Sequence, residues 1–238
     1  MILLYTDFGW QGPYIGQMHA AIHAQSSGVP VVDLMHDAPP FQPRPAAYLL
    51  AALASRWPNG SVIVAVVDPG VGSSRLPLAV KAGGCWLVGP DNGLLVPAAR
   101  ALGSSQHWQR IAWLPQSLSA SFHGRDLFAP TAARLAQGDD SDLMPLEDDP
   151  VGWNWPAEEA AIVYCDGYGN VMTGLAPRDG GVLKAKSQQF RQCRTFADAA
   201  VGQEFWYKNA LGLAEIAVNQ GHAASRLGLT LGDAVEWV

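Results

Sequence analysis

S-V-I-V-A-V-V-D-P-G-V-G-S-S-R, residues Ser61 to Arg75, is the stretch whose reading decides the fold of this chain. Val62 to Val67 is an unbroken apolar run, mostly β-branched, the pattern of a strand buried on both faces in a parallel sheet. It stops at Asp68-Pro69-Gly70, because Pro69 has no N–H for a ladder and Gly70 turns freely. The strand therefore ends on a carboxylate. In open α/β sheets, ligands sit beyond the carboxyl ends of strands. Gly72, Ser73 and Ser74 keep the next loop open, and Arg75 can fold back toward Asp68. The residues alone leave two readings of this pair: a structural ion pair that closes a loop, or the charged part of a site.

Upstream, Ile2 to Tyr5 reads as a short buried strand ending at Thr6-Asp7-Phe8-Gly9, a second carboxylate at a strand end. Asp7 is either a turn or N-cap residue or a site residue. Pro13 to Gln25 reads as a helix closed by Gly28, and Val29 to Leu34 as the next strand. Prolines 39, 40, 43 and 45 predict an extended loop that opens a helix over Ala46 to Arg56. Downstream, Leu78 to Ala82 and Cys85 to Val88 are strands about a Gly83-Gly84 turn. G-P-D-N-G at 89–93 is ordinary turn chemistry, and Leu94 to Leu102 has helical character. In S-F-H-G-R-D, 121–126, Asp126 is a candidate N-cap for a helix over Leu127 to Gln137. His123 lies in the loop before that helix and gains interest only if it converges with Asp68 and Arg75.

The stretch D-D-S-D-L-M-P-L-E-D-D-P, 139–150, is acidic, Pro-containing and aperiodic, and reads as a linker. Beyond it, short strands recur at Ala161–Cys165, Val171–Leu175, Thr195–Phe196, Phe205–Tyr207, Leu213–Val218 and Ala234–Val238, with Gly-rich turns between them. That spacing predicts a small β-barrel or sandwich. Asn219 to Gly228 has one or two helical turns. The expected organisation is an α/β protein. Residues 1–145 form an N-terminal α/β domain with a largely parallel central sheet between helices. Residues 146–158 link it to a smaller C-terminal β-barrel domain over 159–238.

Bulk properties narrow the function. Hydrophobic residues are 49% of 238, enough for a sizeable core. A net charge of −6 without a Lys/Arg cluster argues against nucleic-acid and anionic-membrane partners. The three scattered cysteines, Cys85, Cys165 and Cys193, fit a reducing compartment and give neither a disulfide framework nor a zinc pattern. No apolar run approaches the ~20 residues that span a bilayer. M-I-L-L-Y-T-D reads as a first strand, not a signal peptide, so a cytoplasmic location is expected.

Six stretches, taken together, resemble one family. They are T-D-F-G at 6–9, V-D-P-G-V-G at 67–72 with Arg75, G-P-D-N-G at 89–93, F-H-G-R-D at 122–126, D-G-Y-G-N at 166–170 and E-I-A-V-N-Q-G at 215–221. Their content and order are similar to those of the S-adenosyl-L-methionine hydrolases, or hydroxide adenosyltransferases, relatives of the fluorinating and chlorinating enzymes that act on the same substrate. The resemblance implies hydrolysis of S-adenosyl-L-methionine to adenosine and L-methionine, with no metal or other cofactor. It implies a homotrimer with sites at subunit interfaces. Asp68, Arg75 and His123 match the set that positions a water or hydroxide. Asp7 matches the carboxylate on the ribose hydroxyls, with Phe8 beside it. Asp166 matches the group near the methionine amine and Asn170 an adenine contact. Tyr168 takes the aromatic position of that turn, and Glu215 and Val218 match the strand lining the adenine side.

Two departures from the family pattern matter. Halide-using relatives carry Tyr or Gly where this chain has Asp68, and Ser where it has Gly124, which favours water as nucleophile. Ala210 replaces a Ser that contacts the methionine carboxylate, leaving Asn209 or backbone N–H groups to hold that end. Two other readings of the same chain are a non-catalytic sensor of adenosine or S-adenosylmethionine, and a halide-using transferase. Retention of Asp68, Arg75 and His123 together favours the hydrolase.

Overall fold

The computed structural model describes residues 1–238 and divides into two units, Met1–Trp155 and Pro156–Val238. The first unit contains β1 (Ile2–Thr6), α1 (Tyr14–Gln25), β2 (Val31–Met35), α2 (Pro43–Ala54), β3 (Val62–Val66), β4 (Pro77–Ala82), β5 (Cys85–Pro90), α3 (Val96–Leu102), β6 (Gln106–Ile111), α4 (Ala129–Ala136) and β7 (Leu143–Pro145). Its seven strands form one sheet in the order β2-β1-β3-β5-β4-β6-β7. The strands from β2 to β5 run parallel, and β4, β6 and β7 continue antiparallel.

The apolar run at Val62 becomes β3, buried at every position. Its alternate side chains enter two cores. Ile63, Ala65 and Val67 pack with Leu3 and Tyr5 of β1, Ala46 and Leu50 of α2, and Ala98 of α3. Val62, Val64 and Val66 pack with Ile2 and Leu4, Met18 and Ile22 of α1, and Ala132 of α4. Period-2 alternation on a doubly covered sheet explains why the whole run is hydrophobic. Each large side chain buried this way contributes roughly 1.5–3 kcal/mol.

The chain leaves β1 for β2 on one side and returns to β3 on the other. The β1/β3 junction is therefore a topological switch point, and the carboxyl ends of these neighbours form the crevice where such folds bind ligands. Thr6 is in register with Val66, so Asp7 and Asp68 both emerge at that crevice.

Several local readings change. Helix α2 begins at Pro43, not Ala46, because a proline in the first turn has the right φ and lacks only an N–H that would be unpaired there anyway. Asp126 does not cap a helix. It lies inside a π-helical turn, Gly124–Phe128, that runs into α4, and it accepts the Ser119 N–H and pairs with Arg125. Strand β7 falls in the acidic stretch read as linker, and the first unit continues to Trp155. There the Trp155 ring stacks on Tyr48 at 6.5 Å.

The second unit contains β8 (Glu159–Cys165), β9 (Val171–Gly174), β10 (Leu183–Ala185), β11 (Gln188–Phe190), β12 (Glu204–Lys208), β13 (Ala214–Val218), α5 (Ala223–Leu227) and β14 (Val235–Trp237). Its ladders form two antiparallel sheets, β12-β13-β9-β8 and β11-β10-β14, rather than one continuous barrel ladder. Two isolated bridges, Ala161 to Ala234 and Gln192 to Trp206, bring their edges together. Both sheets contribute to a core that includes Ile162, Phe190, Trp206, Ile216 and Val235. Thr195–Phe196 is not a strand. Thr195 caps a 3₁₀ turn over Phe196–Asp198, a task that suits its hydroxyl. No helix of the protein is long and apolar enough to cross a membrane.

Candidate active site

Beyond the carboxyl ends of β1 and β3 lies a cavity of about 730 Å³, lined among others by Asp7, Phe8, Phe41, Asp68, Phe122 and His123. The Asp68 and Arg75 side chains are only 4% and 9% exposed. Arg75 Nε donates to Asp68 Oδ1 at 2.8 Å, and its Nη2 donates to both Asp68 Oδ2 and His123 Nδ1, the latter at 3.0 Å. The guanidinium also lies over the Phe128 ring, 5.4 Å from its centroid. The three residues, dispersed in sequence, thus form one hydrogen-bonded unit.

The donors fix a tautomer. A guanidinium only donates, so His123 Nδ1 must accept, and the neutral ring carries its proton on Nε2. Burial, reinforced by the Arg75 charge, pushes the His123 pKa below its usual value and keeps it in that form. Arg75 leaves each Asp68 oxygen a further lone pair, so the carboxylate remains the acceptor of the unit.

The G-P-D-N-G turn holds the site from behind. Asn92 Nδ2 donates to the Val67 carbonyl at 2.8 Å, next to Asp68, and Asn92 Oδ1 accepts the Leu94 N–H. The sequence showed an ordinary turn there. The buried partner that makes Asn92 a support of the site becomes visible only in three dimensions. The cavity wall has a similar surprise: Phe8 packs against Tyr14 and Phe122 at 6.0 and 5.6 Å between centroids, a ring cluster drawn from three segments. Gly124 lies against it, and a Cβ there would come within 3.2 Å of Phe8.

Asp7 Oδ2 accepts the Phe41 N–H at 3.0 Å. Burial raises the Asp7 pKa above its ordinary 3.8, the Asp68 charge adds to this, and the Phe41 and Asp7 backbone N–H groups oppose it.

The second unit has its own cavity, about 740 Å³, lined by Asp166, Tyr168, Asn170, Phe196, Tyr207, Val218 and the Gln220–His222 turn. Four of the residues singled out in the sequence are therefore together here. The Asp166 carboxylate is occupied within its own turn: it accepts from Tyr168 N, Asn170 N and Asn170 Nδ2 at 2.8–3.0 Å. That fixes the Asn170 amide with its oxygen as the remaining acceptor. Tyr168 is 82% exposed. Glu215 and Asn209 are not on the lining. They are buried and bonded to each other at 2.7 Å, and Glu215 also accepts the Tyr207 hydroxyl. Burial raises the pKa values of Glu215 and Tyr207. Tyr207 is what this buried pair presents to the cavity, and sequence reading missed it.

Comparisons with known proteins cover both units of the chain. The family model described as the SAM hydroxide adenosyltransferase N-terminal domain matches residues 2–144, and that of the C-terminal domain matches residues 160–236. The (R)-S-adenosyl-L-methionine hydrolase of Salinispora tropica is 36% identical over 251 residues, covering 96% of this chain and 94% of its own. The protein of the same name from Thermus thermophilus is 37% identical over 258 residues, covering 97% and 96%. An uncharacterized conserved protein from Thermotoga maritima has a crystal structure that superposes with a TM-score of 0.88 at 29% identity, covering 100% of this chain and 99% of that one. A conserved hypothetical protein from Thermus thermophilus superposes at 0.80 with 34% identity and the same coverage.

Proposed function

The chain belongs to the SAM hydroxide adenosyltransferase family, and from that premise we propose that it hydrolyses S-adenosyl-L-methionine to adenosine and L-methionine, with Asp68, Arg75 and His123 acting on the attacking water. The observation that carries the residue assignment is the single hydrogen-bonded unit in which Arg75 joins Asp68 and His123, both on the cavity wall.

Water oxygen forms a bond to the 5′ carbon while the carbon–sulfur bond breaks. Its electron pair returns to sulfur, and methionine leaves as a neutral thioether. The leaving group needs no acid and no metal, so the work lies with the nucleophile, since bulk water has a pKa of about 15.7. In this reading Asp68 accepts a water O–H and takes its proton. His123 Nε2–H donates to the water oxygen and fixes its orientation, because that nitrogen, already protonated, cannot act as base. Arg75 holds both groups and favours negative charge on the oxygen as it attacks. Asp7 receives the ribose hydroxyls, while Asn170, Tyr168 and Val218 receive the adenine side. Asp166, Asn209 and Glu215 support these contacts from within their turns and strand. The working assembly is a homotrimer, with each substrate held between subunits. The three free cysteines suit a cytoplasmic setting.

Incubation of purified protein with S-adenosylmethionine, followed by chromatography, tests the reading. Equimolar adenosine and methionine are expected, at the same rate after chelator treatment, from a species of trimeric mass by light scattering. Binding without product would leave a sensor. Activity lost to chelator and restored by a divalent ion would end the metal-free scheme.

The raised pKa of Asp7 gives a second expected result. Protonation removes an acceptor for the ribose hydroxyls, so adenosine affinity should fall as pH drops through a pKa lying above the ordinary 3.8. The sign for stability is opposite: a carboxyl with a raised folded pKa disfavours folding when charged, and that cost disappears on protonation. Calorimetric titrations between about pH 7 and about pH 4 should show weakening in the wild type and a flat, weak response in Asp7→Asn. A pH-independent wild-type affinity would refute the assignment.

A further inference from the structure

Two buried polar side chains, with the partly exposed Asp33 beside them, stand outside the site as described so far. His36 follows β2 and is 0% exposed, as is Thr6 at the end of β1. His36 Nε2 lies 3.0 Å from Asp33 Oδ1, and His36 Nδ1 lies 2.8 Å from Thr6 Oγ1. Thr6 Oγ1 in turn accepts the Phe8 N–H at 3.3 Å. Burying a hydroxyl and an imidazole is costly unless both are bonded, so this arrangement calls for an account of what it does.

Proton positions follow from the ends of the chain. Asp33 can only accept, so His36 Nε2 carries a hydrogen, and a ring with that single proton offers Nδ1 as an acceptor. The Thr6 hydroxyl therefore donates to Nδ1, which turns its lone pair toward Phe8. His19 Nε2 reaches the same Asp33 Oδ1 at 2.7 Å and anchors the carboxylate from α1. Trp10 meets the ring edge-on at 4.9 Å, and the His36 backbone carbonyl accepts the Gly9 N–H at 2.6 Å. The His36 contacts to Thr6, Gly9 and Trp10 all fall on the segment Thr6 to Trp10, which carries Asp7 and Phe8.

We propose that Asp33, His36 and Thr6 form a positioning relay that sets the Asp7–Phe8 turn for ribose recognition. This rests on the assignment of Asp7 given above. The relay touches no substrate. It dictates where the backbone of Phe8 stands and therefore where the Asp7 carboxylate points. Its influence should fall on binding rather than on the chemical step, because the water-holding unit is bonded separately through Arg75.

Thr6→Val removes the hydroxyl at nearly constant volume, Thr6→Ser keeps it, and His36→Phe keeps the ring without its nitrogens. The measurements are adenosine Kd by calorimetry, KM and kcat for S-adenosylmethionine, the melting midpoint, and hydrogen exchange of the Phe8 and Gly9 amides. Thr6→Val and His36→Phe should raise Kd and KM about tenfold, leave kcat within about twofold, and speed exchange at Phe8. Thr6→Ser should behave like the wild type. A lower melting midpoint with unchanged Kd and unchanged Phe8 exchange would reduce the relay to packing and overturn the proposal, as would a fall in kcat at constant Kd. If His36→Phe does not fold, the Thr6→Val and Thr6→Ser pair decides. Asp7→Ala serves as the control. If it leaves adenosine affinity unchanged, the ribose assignment has failed, and Phe8 exchange in Thr6→Val alone then judges the relay: faster exchange supports it and unchanged exchange overturns it.

Discussion

Asp68→Asn is expected to lower turnover by about 10²–10⁴-fold while adenosine still binds. The substitution keeps the shape of the side chain but places an amide NH₂ against the Arg75 donors and removes the carboxylate assigned to take a proton from water. Arg75→Lys keeps the charge but loses the planar fork that bonds Asp68 and His123 at once, and should cost turnover comparably. If the three residues act as one unit, the double and triple variants should be little worse than the singles. A pair that merely closed the loop would behave otherwise. Breaking a buried ion pair costs about 3–5 kcal/mol of stability, so the protein would melt earlier, yet each folded molecule would turn over normally. Turnover per folded molecule, adenosine affinity and melting midpoint, measured on the same variants, separate the cases. Less stable but fully active variants would remove the catalytic assignment.

Gly169→Ala should damage the second cavity more than any polar change there. Gly169 has φ +84°, and a Cβ would meet the His222 ring at 2.2 Å. The left-handed backbone costs an L-residue about 1–2 kcal/mol, and crowding adds about 1–3 kcal/mol. His222 cannot simply withdraw, because its Nδ1 accepts the Ser225 N–H and the Gly169 carbonyl accepts the Ala224 N–H. The turn that orients Asn170 should be displaced, so both the melting midpoint and adenosine affinity should fall. A variant with an unchanged melting midpoint would show that the turn and α5 are not locked together.

How far the sequence carried the reading depended on whether the signal was local. Val62 to Val67 announced itself because a doubly covered strand is hydrophobic at every position. Asp68 was conspicuous because Pro69 ends the strand. Strand β6, Q-H-W-Q-R-I, has no such run, and it exists because β4 offers it an antiparallel partner. Strands β10 and β11 are three residues each, too short for any period to show. The meeting of Arg75 with His123, far apart in the chain, came from motif resemblance and not from spacing. Tyr207, Asn92 and the relay behind Phe8 stayed hidden because their partners are distant backbone or buried groups with no mark in the local pattern.

Trp155 bears on where the first unit can be cut. Its ring fills the space over Gly93, where a Cβ would come within 2.2 Å of it. Arg44 stacks on its face, and its carbonyl accepts from Arg100. Nearby, the Val151 N–H donates to Asp91. A fragment ending at Pro145 would retain Asp7, Asp68, Arg75 and His123, and by inventory would hold all the residues proposed to handle the water. It would lack the strap that presses on the Asp91–Gly93 turn, and with it the firm seat of the Asn92 amide that steadies the backbone beside Asp68. The segment Val151 to Trp155, which follows the acidic tract, is thus a brace for the edge that carries Asp68, and the natural severance point of the chain lies after Trp155.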